Sequence, residues 1–437
     1  ILFYQRFYNW SPEWAPVFFL ASCRFTESRR NRLQAVQPNS QPPAQSSALW
    51  VLLALALGTF ALGTTEFAAM TLVPYIASDL SVDVAHVSYA ISAYALGVVV
   101  GSPIIMVLGV RIKRRTLLIA LAAMMAVANG LSALAPSLNW LVFFRFLSGL
   151  PHGAYFGVAM LLAASLVPPE MKARAVSRVI IGLTLATIVG VPFATWMGQT
   201  VGWRSGIGIV AIIAAVTAVM LYFLAPNVAV PQNASPKKEL QTLKNREVWL
   251  TLGIAAIGFG GIFCVYTYLA ETLIQVTQVE PFKIPVMMAV FGIGATLGTL
   301  VCGWAADKSA LAAAFWSLVL STLVLALYPS LTGSYWALMP IVFFVGSGIG
   351  LATIVQARLM DVAPDGQAMT GALVQCAFNL ANAIGPWVGS LVILSGQGIA
   401  ATGYAAALLS LGGLVMWWLT HRESRRADNL CTANCID

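Results

Sequence analysis

Twelve times along the chain an apolar run of roughly 20 residues recurs, long enough as a helix to cross the hydrocarbon core of a bilayer. The runs lie near 49–75, 84–108, 116–136, 139–164, 173–200, 204–225, 249–273, 283–306, 310–329, 335–360, 368–394 and 399–420. Links such as "APSLN" and "YPSLTGS" suit tight helical hairpins. Trp50, Trp140, Trp203, Trp249, Trp336 and Trp417 fall near the expected ends, where interfacial aromatics collect. Only 9% of the 437 residues are charged, against about 25% in soluble domains. A chain so poor in charge cannot cover its surface in water, so lipid is its solvent. The expected fold class is an all-α membrane protein with twelve transmembrane helices.

The few charges sort by side. A net charge of +8 raises the question of nucleic acid, and the placement of the basic residues answers it. Outside residues 1–47, sixteen of nineteen Lys and Arg fall on one side of the expected membrane. Arg204 and Lys283 fall on the other side, and Arg145 lies within it. The positive-inside rule then places both termini in the cytoplasm and makes the charge a topology signal. No nucleic-acid partner is expected. Six scattered cysteines form neither a disulfide framework nor a metal pattern. With no nucleophile–base pair or phosphate loop in the sequence, neither an enzyme nor a cofactor is expected.

Residues 1–47, which include the linker-like "QPNSQPPAQSS", are expected to be a disordered extension or a stretch upstream of a start near Val36. Six runs fall in 48–225 and six in 249–421, separated by the polar segment 226–248, an expected cytoplasmic linker; 422–437 forms a cytoplasmic tail. Slid by about 195 positions, the halves match in four places in one order. Gly97 and Gly101 meet Gly294 and Gly298, "NWLVFF" meets "YWALMP", "LVPPEMKA" meets "DVAPDGQA", and Pro192 meets Pro386. Parallel six-span repeats with a path between them are the architecture of a large transporter class.

Some ionisable residues sit where lipid-spanning helices should be apolar. A charge at the bilayer centre costs on the order of 2.5–3.5 kcal/mol even on a lenient insertion scale. Yet Glu66 stands in "ALGTTEFAAM" and Arg145 in "FFRFLSGLPHGAYFGV". At 1.5 Å per residue their depths are about 14 and 9 Å from the same face, within mutual reach. A fixed ion pair locking helix 1 to helix 4 is one reading; a pair that exchanges partners when a proton arrives is the other. The Thr64–Thr65–Glu66 cluster favours the second. His152 follows Arg145 by seven residues on the same helical face, either bonded to a neighbouring helix or in contact with substrate or proton. Gly149, Gly153 and Gly157 form an adjacent small-residue track for close packing. In the second half Gln375, Asn379 and Asn382 form a stripe, as interhelical bonds or cavity lining. Thr65, Tyr266 and Gln356 are further cavity candidates, whereas Glu271 and Asp361 are expected at helix ends open to water.

Between helices 2 and 3 runs "VLGVRIKRRTLL", and between 8 and 9 "GWAADKSALA". These loops resemble those of the major facilitator superfamily, whose signature there is a glycine, an acid four residues later, and basic residues. The second copy keeps Gly303, Asp307 and Lys308. The first keeps Arg111, Arg114 and Arg115, but Met106 and Val110 replace its glycine and acid. "RFLSGLPHGAYFGV" resembles the helix 4 signature of the twelve-span drug–proton antiporter group, which implies proton coupling for Arg145. "GLTLATIVGVPFATWMGQTVGWR" resembles that group's helix 5 motif, with Gly190 and Pro192 and with Val191 in place of a glycine. "GTTEF" and "AYALGVVVGSP" are most similar to the AraJ/YdhP-like subgroup.

The resemblance covers about residues 48–421 and implies a bacterial inner-membrane exporter that trades protons for a small organic solute by alternating access. Glu66 and Arg145 would couple the proton, and helices 5 and 11 would bend near Gly190–Pro192 and Gly385–Pro386. The expected partners are the solute, protons and the lipid bilayer, around a monomeric protein. An uptake symporter, a facilitator or a sensor without transport would share the same fold.

Overall fold

The computed structural model describes residues 45–109, 111–168, 171–228, 244–363 and 367–433. Most of the expected N-terminal extension, the greater part of the linker 226–248, Val110 and the last four residues of the tail lie outside them. Among the described residues the secondary structure is helical, with no strand. Eleven helices are long and apolar enough to cross a membrane, and one of them, Lys283–Leu331, has 49 residues, more than twice the roughly 20 that one crossing needs. Ser309 interrupts it with extended backbone at φ −165° and ψ 106°, where the sequence predicts the link between the eighth and ninth runs. The twelve expected spans are therefore present.

Six spans make each half. In the first they are Gln45–Thr71, Val84–Gly109, Arg114–Ala133, then Leu138–Gly149 with His152–Ser165, Lys172–Leu185 with Val191–Thr200, and Trp203–Leu224. Span 7 is Arg246–Gly258 with Gly260–Gln275, and spans 8 and 9 share Lys283–Leu331. Span 10 joins Tyr335–Ser347 to Leu351–Val362, span 11 is Gln367–Leu394 and span 12 is Thr402–Ala433.

The breaks have local causes. Pro151, without an N–H, starts the second part of span 4. In span 5 a π turn at Ala186–Gly190 precedes Pro192 at the start of the next helix, which is where a proline is tolerated. The first run was expected to continue to residue 75, but its helix ends at Thr71. A short helix, Val73–Leu80, follows with Pro74 in its first turn.

The internal repeat is sharper in space than in sequence. A Cβ on Gly97 would stand 2.2 Å from the Phe146 carbonyl oxygen, and one on Gly294 would stand 2.0 Å from that of Phe343. A Cβ on Gly149 would stand 2.1 Å from the Tyr94 carbonyl oxygen, and one on Gly346 2.2 Å from that of Phe291. Residues 94, 97, 146 and 149 thus become 291, 294, 343 and 346, a constant shift of 197. Spans 2 and 4 touch backbone to backbone, and spans 8 and 10 repeat the contact. Only glycine permits so close an approach, so the track on span 4 is a packing surface.

The two halves share an apolar core toward one end of the molecule and touch along spans 2 and 11 beyond it. One apolar core unites Phe67–Ala77, Val87, Ile91, Leu141, Val191 and Trp203 of the first half with nearly all the core of the second. The other core, built from Val51–Leu62, Leu117–Met125, Ala154–Leu166 and Val210–Ala225, contains no second-half residue. At the joined end Gln199 Nε2 donates to the Pro281 carbonyl at 3.0 Å, and farther along the interface Ser92 Oγ donates to the Ala383 carbonyl at 3.0 Å. There too Asp79 accepts from Arg204 and from Trp203 Nε1 (2.9 Å). The Arg204 bond, helped by Trp203, holds the Asp79 carboxyl below its usual range. The loops 111–115 and 303–308 lie at the other end.

Candidate functional site

Where the two cores part, spans 1, 2, 3, 4 and 11 bring together the polar residues that the apolar runs cannot explain. Thr65, Glu66, Arg145, His152, Asn379 and Asn382 are all at most 4% exposed. Arg145 Nη1 donates to Thr65 Oγ1 at 2.8 Å and Nη2 to the Thr65 carbonyl at 3.1 Å. Its guanidinium carbon stands 4.2 Å from the centre of the Tyr94 ring, a cation–π contact that stabilises a charge shielded from water. Thr65 Oγ1 passes its own proton to Asn129 Oδ1 at 2.5 Å, and Asn129 Nδ2 is anchored on the Met125 carbonyl at 2.9 Å.

The carboxyl group of Glu66 faces the other way. Its Oε1 accepts from Asn382 Nδ2 at 2.9 Å, across the boundary between the halves. Its Oε2 stands 3.9 Å from His152 Nε2. The imidazole is held from both sides, Nδ1 by the Tyr94 hydroxyl at 2.6 Å and Nε2 by the Gln375 amide nitrogen at 3.1 Å. With the amide donating, Nε2 is the acceptor, so Nδ1 carries the proton given to the tyrosine oxygen. Glu66 and Arg145 form no ion pair in this conformation. The arginine is bound one residue away on the same helix, at Thr65.

Asn379 Nδ2 donates to the Gln375 carbonyl at 3.0 Å. Asn379 Oδ1, Asn382 Oδ1 and Arg145 Nε are buried without a hydrogen-bond partner. Leaving such atoms unpaired costs about 1–3 kcal/mol each, so the cluster has both acceptors and a donor to offer a polar solute.

Tyr266 belongs elsewhere. Its ring centre lies 3.9 Å from that of Phe291 and 5.9 Å from that of Phe67, with Phe263 6.2 Å from Phe67. This aromatic group spans the halves beside Glu66, on the joined side. Gln356 is half-buried on span 10 and makes no hydrogen bond to the cluster. Glu271 was expected to meet water, but it is 5% exposed with Oε2 unpartnered; Asp361 is exposed, as expected.

At the loop end, Arg114 donates to the Leu161 carbonyl at 3.1 Å and Arg115 to that of Tyr222, both within the first half. Arg111 and Asp307 are exposed, and Lys308 lies 3.7 Å from the Trp304 ring centre. Gly303 is no close-approach site, since a Cβ there would meet Thr353 Cγ2 at an ordinary 3.6 Å. In the hinge segments, a Cβ on Gly190 would stand 2.3 Å from Thr64 Oγ1 and one on Gly385 2.4 Å from the Gly260 carbonyl. Pro386 lies inside a continuous helix, its carbonyl accepting from Tyr268 at 2.8 Å.

Sequence reasoning missed Asn129 and Tyr94. Asn129, an amide in an otherwise apolar run, carried a usable signal. Tyr94 carried none, because a membrane tyrosine is ordinary until its neighbours are known.

The Major Facilitator Superfamily family model matches residues 55–372 and 286–430. The Inner membrane transport protein YdhP of Escherichia coli (strain K12) is 35% identical over 88% of this chain and 98% of its own length. A Probable sugar efflux transporter of Helicobacter pylori (strain ATCC 700392 / 26695) is 28% identical over 86% of this chain and 95% of its own. A crystal structure of a bacterial homolog of the human lysosomal transporter Spinster, inward-facing and unoccupied, is similar with a TM-score of 0.67. It covers 87% of this chain and 98% of that one, and at 17% identity the likeness shows the fold alone. The chain belongs to the Major Facilitator Superfamily of membrane transporters, in the AraJ/YdhP-like subgroup.

Proposed function

We propose that the protein exports a small, neutral, hydroxyl-rich solute across the bacterial inner membrane in exchange for protons, with Glu66 as the proton carrier. The observation that carries this reading is the 2.9 Å bond from Asn382 to Glu66. It joins a titratable group of the first half to an amide of the second, so the charge on Glu66 bears on how the halves meet. The basic residues concentrated at the loop end support a cytoplasmic face there. The joined end then faces outward, and in this conformation that outer end is the shut one.

In this conformer Glu66 carries its proton and Arg145 stays on Thr65. When the proton leaves toward the cytoplasm, the carboxylate draws the guanidinium one residue along span 1. Its charge-assisted bonds then compete with those from Asn382 and release the second half. Protonation from outside reverses the exchange, helped by about 2.3 kcal/mol per charge per 100 mV of membrane potential. Each ligand moves the balance only by its differential affinity for the two states.

The substrate class rests on the site's chemistry. Gln375, Asn379 and Asn382 are uncharged groups that both donate and accept, as hydroxyls require. The relative named as a probable sugar efflux transporter points the same way.

The test uses vesicles holding the reconstituted protein and a pH dye, with imposed gradients of neutral monosaccharides. Solute moving outward should drive protons inward, and Glu66→Gln should abolish that movement. Co-directional movement would instead make the protein a symporter. Undiminished proton movement in Glu66→Gln would remove Glu66 from the mechanism.

A further inference from the structure

We propose that Glu271, on span 7, is a second proton-binding site, filled while the joined end is shut and emptied when that end opens. The proposal rests on the transporter reading above, and it adds a site separate from the central cluster.

The helix Gly260–Gln275 is buried at every position from 260 to 273, so its polar groups have no water to turn to. Phe263 and Tyr266 touch Phe67 of span 1, which fixes the face that span 7 turns to the first half. Farther along this helix, four residues apart, stand Thr267 and Glu271. Thr267 Oγ1 and Glu271 Oε2 are both buried without a partner. Gln275 donates to Glu271 Oε1 and leaves Oε2 open.

Among the described residues no cation pairs with this carboxyl. The first-half groups whose charge bears on it are Tyr75, on Val73–Leu80, and Asp83, in the link to span 2. From span 9, Tyr328 reaches the adjacent Thr272 at 3.0 Å. Lys283, at the start of span 8, is paired with Glu280 at 2.7 Å. A carboxylate buried without a counter-charge and near a second acid is prohibitively costly, and such a group takes a proton instead. Oε2 is the oxygen free to hold it. Opening the joined end would hydrate Glu271, let the proton go, and set two like charges across the gap against reclosure. Acid outside the cell would then favour the shut end, the direction that proton-driven export requires.

Ala270 is fully buried between Thr267 and Glu271 and supplies the probe position. In a cysteine-free background, Ala270→Cys is reacted with a maleimide in vesicles between pH 5.5 and 8.5, normalised at each pH to unfolded protein. Labelling should rise with pH. Glu271→Gln should stay at the low acid value throughout, and Glu271→Asp should restore the rise. A full pH response in Glu271→Gln would overturn the proposal. Failure of the transporter reading shows elsewhere, as wild-type vesicles in which no solute moves protons.

Discussion

The two halves share a scaffold and divide the chemistry. Their glycine contacts repeat at a constant shift of 197, down to which carbonyl faces which glycine. At the centre the first half supplies an acid, a base and an imidazole, Glu66, Arg145 and His152. The second supplies the amides Gln375, Asn379 and Asn382. The scaffold is constrained by backbone contact, which tolerates only glycine, and so both copies keep it. Side chains facing each other at the centre carry no such constraint, and there the first half holds the ionisable groups and the second the amides.

The comparison breaks most visibly at Glu66. Glu66→Gln is expected to lose proton-coupled transport completely, measured as dye response in vesicles. Asn382→Ala on the facing half should keep a response and weaken the link between protonation and conformation.

Next come the paired glycines. Gly97→Val and Gly294→Val each drive a side chain into a backbone carbonyl, and overpacking costs about 1–3 kcal/mol or more. Thermal unfolding in detergent should fall by similar amounts in both variants. Sensitivity in one half only would mean that the halves do not share their scaffold energetics.

Asn382→Ala should cost less. Loss of one intramolecular hydrogen bond is worth about 0.5–1.5 kcal/mol, which shifts the inward–outward equilibrium by roughly 2- to 10-fold. The shift is read as cysteine accessibility from the two faces.

The smallest effect belongs to the Asp79–Arg204 clip at the joined end of the first half. Because the folded-state pKa of Asp79 is depressed, its stabilisation is present above the ordinary carboxylate range and is lost as pH falls through the lower folded value. Asp79→Asn should therefore melt below wild type at neutral pH and converge with it in acid. The pair is largely exposed, so the gap should stay under about 1 kcal/mol.

Much of the fold was legible because lipid leaves few options. A run of about 20 apolar residues has little choice but to span, and even the short link between the eighth and ninth runs was foreseen, at Ser309. Of the site, Glu66, Arg145 and His152 stood out because an ionisable group is expensive in an apolar run. Thr65, Gln375 and Asn382 stood out as well, but which group pairs with which did not. Arg145 binds Thr65 and Tyr94 rather than Glu66, Tyr266 joins an aromatic group, and Gln356 stands apart.

The amino-acid sequence by itself determined the solvent, the number of spans, the two-fold repeat and the residues too polar for their surroundings, because each follows from composition and spacing along one chain. Tertiary structure alone decided that Asn382 reaches Glu66, that Glu271 is shut away from water, and that the halves share a core toward one end. Those facts depend on the relative rotation and depth of helices far apart in sequence. Helical periodicity fixes which residues share a face, but not which face another helix will meet.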